Sequence, residues 1–342
     1  MKIAVNGATG YTGKLVAAEL VRRGIDLVLI GRDKERLRQA RIEAGAEGAE
    51  LRFADIAVAG AFDGVLDGCD AVVNCAGPFG ALGEPVVAAA VAAGCHYVDT
   101  TGEQHYVKRV FDRFGDEAAR AGVAVVPAMA DDGGPGDLLG HLTGAAVSPV
   151  AELVFGLWYR GGGGSQGTMR SMLTVLDAAA LDYRGGRWAP GAAGPREAMR
   201  FPGAEAPVPM AAFGIPPVVT IPRHVRVERA EGFVNADLVA RLRAVTPELV
   251  ESLPQGPAPD ARREQRWTHV AEAVGVDGRR ARGEVEGSDG YGLTAVIAVE
   301  GARRLVADGA PAGVLAPAQA FDAAGFLDWL APFGVRWRVE TG

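Results

Sequence analysis

Short apolar runs alternate with stretches of helical periodicity along the first third of the chain. Lys2-Ile3-Ala4-Val5-Asn6, Leu27 to Ile30, Leu51 to Asp55, Ala71 to Cys75, His96 to Asp99 and Val123 to Pro127 read as six strands. Between them Lys14 to Arg23, Lys34 to Ala44, Glu84 to Ala93 and Gln104 to Ala121 read as helices, with Gly24, Gly94 and Gly122 closing three of them. Strands alternating with helices imply a parallel sheet with right-handed crossovers. Ligands of such sheets bind beyond the carboxyl ends of the strands. That rule gathers Gly7 to Gly13, Arg32, Asp55, Asn74 to Pro78, Thr100 to Glu103 and Ala130 to Gly136 into one expected cleft.

The pattern changes at Asp131. Asp131 to Gly136 is a loop, and Asp137 to Thr143 opens a helix. Glu152 to Tyr159 reads as a strand, Arg160 to Ser165 as a glycine loop and Gln166 to Leu181 as a helix. Residues 185–223 are rich in Gly and Pro and fix no elements. Ala236 to Leu253 reads as one helix bent at Pro247. Gln265 to Val274 and Arg279 to Glu286 read as a hairpin around Asp277-Gly278. Tyr291 to Ala307 and Phe321 to Leu330 read as helices, and Val335 to Val339 as a last strand. The expected fold class is α/β: a Rossmann, doubly wound parallel sheet over residues 1–131, with 288–342 packing back on it and an α+β domain inserted over 132–287.

Strand, glycine turn, helix, strand is the context that gives a glycine pattern meaning. Gly7-Ala8-Thr9-Gly10-Tyr11-Thr12-Gly13 follows the first strand and opens the first helix. Glycines let backbone approach a pyrophosphate, and the helix N-terminus favours its charge. The spacing, G-x-x-G-x-x-G, is a variant of the usual dinucleotide fingerprint. The second strand ends in Gly31-Arg32-Asp33 where an acidic residue would select NAD. An Arg suits the 2′-phosphate of NADP instead, so NADP(H) is expected over NAD(H). The alternative is that Arg32 is a solvated loop charge and Asp33 a helix cap.

Composition narrows the partners. The net charge of −7 argues against a general nucleic-acid or anionic-membrane surface. No apolar run reaches the length of a membrane span, and the first strand begins without a signal peptide. Cys69, Cys75 and Cys95 lack C-x-x-C spacing, which reads as reduced thiols in a cytoplasm. No metal-ligand cluster, serine elbow or Tyr-x-x-x-Lys pair is evident. Nothing in the sequence marks a homodimer face, although Rossmann oxidoreductases often dimerise.

Several stretches together resemble the saccharopine-dehydrogenase-like family of oxidoreductases. They are Gly7 to Gly13, Asn74-Cys75-Ala76-Gly77-Pro78-Phe79, and His96-Tyr97-Val98-Asp99-Thr100-Thr101-Gly102-Glu103, with later matches at Asp132 to Leu138, Ser165 to Ser171 and Gly290 to Ala295. The resemblance implies a Rossmann domain, an inserted substrate and dimerisation domain, NADP(H), and reduction of a C=N bond or, as in stand-alone enoyl reductases, of a C=C bond on a small or carrier-bound substrate. One departure stands out. The family usually carries Asp-Ser-Val-Pro-Ser-Asp where this chain has Asp132-Gly133-Gly134-Pro135-Gly136-Asp137, so both serine hydroxyls are gone.

The cofactor carries hydride chemistry; the protein positions it and handles a proton. The cofactor-binding residues expected are Gly7, Ala8, Thr9, Gly10, Tyr11, Thr12, Gly13, Arg32, Asp55, Asn74, Cys75, Ala76, Gly77 and Pro78. Thr101, Glu103 and Asp132 are the expected catalytic residues; Glu103 has a helix cap as its bland alternative and Asp132 a loop turn. Asp131 is open to the same two readings as Asp132. Cys75, His96 and Tyr97 read as packing. Three functions stay open: a reductase of a C=N or C=C bond, an enoyl reductase on a lipid or polyketide chain, and a non-catalytic NADP-binding sensor.

Overall fold

The computed structural model describes residues 1–191 and 198–342. Part of the Gly/Pro-rich stretch, 192–197, lies outside the described residues. Contacts divide the chain into two units: Met1–Thr101, Lys108–Ala130 and Tyr291–Leu315 form the first, and Gly102–Val107, Asp131–Gly290 and Ala316–Gly342 the second. The stretch 288–342, expected with the first domain, is thus shared between the two.

The elements run β1 (Lys2–Asn6), α1 (Tyr11–Arg22), β2 (Asp26–Gly31), α2 (Lys34–Glu43), β3 (Glu50–Phe53), β4 (Ala71–Asn74), α3 (Phe79–Ala92), β5 (His96–Asp99), α4 (Gln104–Ala121), β6 (Ala124–Val126) and α5 (Gly134–Ala145). There follow β7 (Val150–Arg160), α6 (Gln166–Val175), β8 (Leu181–Arg184), β9 (Arg187–Pro190), β10 (Ala198–Met199), β11 (Val208–Ala212), α7 (Pro217–Thr220), β12 (Val227–Asn235), α8 (Ala236–Arg243), α9 (Pro247–Ser252) and α10 (Pro259–Glu264). The chain ends with β13 (Arg266–Gly275), β14 (Arg280–Ser288), α11 (Gly290–Ala307), β15 (Gly313–Val314), α12 (Pro317–Ala320), α13 (Ala323–Trp329) and β16 (Arg336–Thr341).

The first unit holds a seven-stranded sheet in the order β15-β6-β5-β4-β1-β2-β3, every pairing parallel. The order reverses at β1, between β2 and β4, which is where a doubly wound sheet opens its ligand crevice. All four residues of β4 are buried, and so are Ile3 to Asn6 of β1, as expected of strands covered on both faces. α1 buries Val16, Ala17 and Leu20 on one stripe. α3 starts at Phe79, ahead of the expected Glu84.

The second unit holds a nine-stranded mixed sheet, β10-β11-β12-β7-β13-β14-β16 with β8 and β9 branching from β12. β7 and β12 are parallel, and the β13–β14 hairpin turns around Asp277-Gly278 as expected. The last strand joins this sheet through β14. α5 lies close on the sheet because its facing positions are glycines: Gly136, Gly140 and Gly144 recur every fourth residue. A Cβ on Gly140 would come within 2.6 Å of the Phe155 ring, and one on Gly144 within 2.8 Å of Val225.

Three expected boundaries in this unit need correction. The single helix over 236–253 is two, because Thr246 caps a new helix by accepting from Leu249 N, and Pro247 sits at a first-turn position where it starts a helix instead of bending one. The helix from Gln166 ends at Val175, not Leu181. Leu181 is captured by Gln104, whose side-chain oxygen accepts from Leu181 N at 2.8 Å while its amide donates to Leu181 O at 2.9 Å. The expected helix from Phe321 begins at Ala323, because Asp322 accepts from Gly325 N and caps it.

Candidate functional site

Gly7 turns the chain out of β1 at φ +76°, a region open to glycine. Ala8 N donates to Ile30 O at the end of β2, and Gly10 N donates to Gly7 O. A Cβ on Gly7 would lie 2.9 Å from Ala76 N and 3.0 Å from the Cys75 carbonyl carbon, so the chain leaving β4 passes against the turn. Gly13 is as tight: its Cβ would run into the Gly7 carbonyl oxygen. Two expected groups, Gly7 to Gly13 and Asn74 to Pro78, are therefore neighbours by backbone contact. Gly10, the N-cap of α1, brings no side-chain cap. Tyr11 in the first turn of α1 meets Tyr291 in the first turn of α11 edge-on at 5.1 Å, which sets those two helix starts side by side.

A buried polar chain braces the strand ends beneath this turn. Asn6 Nδ2 donates to Asn74 Oδ1 at 2.8 Å, and the same oxygen accepts from Ala76 N at 3.1 Å. Asn74 Nδ2 donates to the Tyr97 hydroxyl, which donates on to Asp99 Oδ2 at 2.9 Å. Asp99 Oδ1 accepts from Thr101 N at 3.1 Å and from Ala128 N at 2.8 Å. Ala128 stands at φ +62°, a cost for a residue with a Cβ; the buried Asp99 carboxylate holds it there. Buried polar groups that satisfy one another fix a unique arrangement. Here the arrangement is the register of four strand ends, β1, β4, β5 and the exit of β6.

The other expected cofactor residues differ in what holds them. Arg32 is exposed and makes no hydrogen bond or ion pair among the described residues. Asp33 caps α2 by accepting from Glu35 N and Arg36 N, each at 3.0 Å. Asp55 is spent locally, its Oδ1 accepting from Ala57 N at 3.0 Å. Burial pushes the Cys75 thiol up to about 12 against the Thr100 hydrogen bond that favours its thiolate, so it is no nucleophile near neutral pH. Cys69, Cys75 and Cys95 are all free.

The second unit gathers a separate polar cluster around the loop before α5. His269, on β13 and fully buried, donates Nε2–H to the Asp131 carbonyl oxygen at 2.9 Å. The Tyr159 hydroxyl, on β7, donates to Asp131 Oδ2 at 2.9 Å. The carboxylate of Asp132 lies against Gly102, where a Cβ would collide with it, one residue from Glu103. The backbone carbonyl of Glu103 accepts from Val107 N at 3.1 Å in the first turn of α4. Thr101, placed in the first unit, is buried. Burial pushes His269 down to about 4, against the pull of the Asp131 carbonyl for the protonated form; its imidazole is neutral at pH 7. Its Nδ1 is buried and has no hydrogen-bond partner among the described residues. Gly136 lies under that nitrogen: a Cβ there would be 3.1 Å from it and 2.9 Å from Pro217 Cγ.

Sequence reasoning missed Tyr159 and His269. They lie 28 and 138 residues from Asp131, and no local spacing marks them. Tyr97 was read as packing. Its ring is buried, but its hydroxyl is a link of the brace, which the neighbouring Asp99 on the same strand could have suggested.

Among known proteins, residues 3–130 match the family model described as saccharopine dehydrogenase NADP binding domain. A Mycobacterium tuberculosis protein provisionally named a trans-acting enoyl reductase is 35% identical over 192 residues, 53% of this chain and 45% of that protein. A trans-acting enoyl reductase of Mycobacterium bovis is 34% identical over 140 residues, 40% of this chain and 34% of that protein. The chain spans less than half the length of these curated relatives. Among solved structures, saccharopine dehydrogenase (L-Glu forming) from Saccharomyces cerevisiae superposes with a TM-score of 0.64 at 15% identity, covering 100% of this chain and 99% of that one. At that identity the likeness speaks for the fold alone.

Proposed function

We propose that the chain, whose residues 3–130 form an NADP-binding domain of the saccharopine dehydrogenase kind, is an NADPH-dependent reductase of an activated C=C bond in an enoyl chain. The observation that carries this reading is the glycine turn. α1 begins without a side-chain cap, and a Cβ at Gly7 or Gly13 would collide with backbone. Small residues and bare N–H groups at a helix start suit a pyrophosphate. Arg32, exposed and unpaired at the end of β2 among the described residues, would take the 2′-phosphate as a charge-assisted partner. The names of the curated relatives support enoyl chains as the substrate class, free or carried on a partner.

Bound NADPH would supply the hydride; the chain would bind it, shield it and manage a proton. Gly7, Ala8, Thr9, Gly10, Tyr11, Thr12 and Gly13 are assigned to the pyrophosphate, and the backbone of Asn74 to Pro78 to the cofactor's other half. Asp55 would contribute through its position past β3, since its carboxylate already serves a turn. Asp132 and Glu103 are the carboxyl groups assigned to hold the proton, with Thr101 two residues before Glu103. The three free cysteines suit a reducing, cytoplasmic compartment, and among the described residues no helix is long and apolar enough to cross a membrane.

The test is a titration of the full chain with NADPH and with NADH, followed by turnover assays on enoyl thioesters and on imines. Tight NADPH binding and enoyl turnover are expected. Turnover of imines alone would move the assignment to C=N reduction, and NADPH binding without any turnover would leave a sensor. Arg32→Ala should weaken NADPH by on the order of tenfold or more, the loss of a charged hydrogen bond, and leave NADH nearly unchanged. Equal losses for both would remove the 2′-phosphate contact.

A further inference from the structure

Away from the residues assigned to NADPH and to the proton, the second unit carries two histidines that face each other. His141 stands one turn after Asp137 on α5, and His224 follows the short 3-10 turn Ile221–Arg223. Their Nδ1 atoms are 3.0 Å apart. Behind them, His224 Nε2 meets Asp137 Oδ1 at 3.0 Å. Asp137 is buried, and its other oxygen accepts from Ala318 N at 2.8 Å. Asp137, held at one oxygen by Ala318 N, takes the Nε2–H of His224 at the other. That commits the other nitrogen of His224, Nδ1, to a lone pair, and the lone pair points at a second imidazole.

We propose that His141 and His224 form a two-histidine site for a borderline divalent transition-metal ion such as Zn²⁺, with Asp137 as its outer carboxylate. An imidazole whose second ring nitrogen donates to a carboxylate is how proteins orient and strengthen a metal-bound histidine. Imidazole nitrogens suit Zn²⁺, Ni²⁺ and Cu²⁺ and serve Mg²⁺ and Ca²⁺ poorly. In the absence of metal a single proton shared between the two Nδ1 atoms satisfies both. Metal binding moves that proton to Nε2 of His141, which has no protein partner among the described residues. Among the described residues no third His, Cys, Asp or Glu side chain completes the group. Two ligands from the protein leave the remaining positions to water, so the site is weaker than a closed four-ligand zinc site. Its effect is mechanical: the ion ties α5 to the segment that ends in His224.

The test is calorimetric titration of the untagged full chain with ZnCl₂ at pH 7.5, with the melting temperature as a second readout. One saturable site per chain and a rise in melting temperature are expected. His141→Ala and His224→Ala should each weaken Zn²⁺ at least tenfold and cancel the rise, while NADPH binding stays as in the parent. Asp137→Asn should weaken it about 10- to 100-fold, the range for an outer-shell partner. His141 sits partly exposed on a helix face, so its variant decides the matter if His224→Ala or Asp137→Asn fails to fold. No binding by the parent chain, or binding that His141→Ala leaves unchanged, overturns the proposal.

Discussion

The two units place their candidate chemistry by opposite means. In the first, backbone does it: the turn Gly7 to Gly13 is defined by where side chains are missing, and a Cβ at Gly7 or Gly13 would meet the chain itself. In the second, side chains do it. Tyr159 and His269 reach Asp131 from two strands, and His224 reaches Asp137 from across α5. A backbone device is local in sequence, because the residues that make it are consecutive. A side-chain device is assembled from positions whose separation is set by topology. The difference predicts which substitutions harm each unit and how their damage reads out.

The largest effect belongs to the backbone device. Gly7→Ala adds a Cβ at φ +76° and sets it 2.9 Å from Ala76 N. Strain and overpacking together should cost on the order of 3 kcal/mol and remove NADPH binding. Thermal melting and a cofactor titration check it. A variant that melts and binds as the parent does would show that the turn tolerates a side chain, and the contrast between the units would collapse.

That division explains what the sequence made legible. Six strands of the parallel sheet were readable from short runs alternating with helical stretches, and the glycine turn because its context, strand then helix, is contiguous; β15, two residues long, forms no run and was not. Arg32 followed from the same stretch. In the second unit the hairpin at Asp277-Gly278 was readable for the same local reason. The end of α6 was not, because Gln104 sets the path at Leu181 from 77 residues away. The break at Thr246-Pro247 was carried by a local signal, a capping residue before a proline, which argues for a helix start over a bend. Asp131 could be nominated from a strand end alone. Its partners could not, since Tyr159 and His269 belong to strands whose register no local spacing gives.

The second effect is a pH dependence that belongs to the side-chain device. Folding holds His269 neutral, its pKa pushed down to about 4 from 6.5. Between those values the unfolded chain takes up a proton that the folded chain refuses. Stability is therefore fully present above about pH 6.5 and falls as the pH drops toward 4, with a ceiling of about 3 kcal/mol. His96 and His141, both also lowered by burial, act in the same direction. Urea unfolding at pH 7.5 and pH 5 should show the parent losing more stability than His269→Gln, which carries no titrating ring. The same loss in both would mean that His269 is not the buried base the geometry makes it.

The smallest effect discriminates most finely, because it asks whether the second unit lacks a hydroxyl. Gly136 packs its bare Cα beneath His269 Nδ1, a buried acceptor without a partner among the described residues. Gly136→Ala places a methyl 2.9 Å from Pro217 Cγ and 3.1 Å from that nitrogen, and should cost about 1–3 kcal/mol of overpacking, eased in part by the better helix propensity of Ala. Gly136→Ser brings the same Cβ and the same crowding, with a poorer helix propensity, but its hydroxyl can donate to Nδ1. A hydrogen bond to a buried, otherwise unpaired acceptor contributes about 1 kcal/mol. The serine variant should therefore be the more stable of the two, against the propensity order. The resembling family carries serine at this place, so the substitution restores the group this chain has lost. If the alanine variant is as stable as the serine one, the nitrogen gains nothing from a donor and the missing hydroxyls have no structural consequence at His269. If serine wins, His269 is a base held in reserve by a glycine, and the loop from Asp131 to Gly136 is tuned by the sheet beneath it and not by its own sequence.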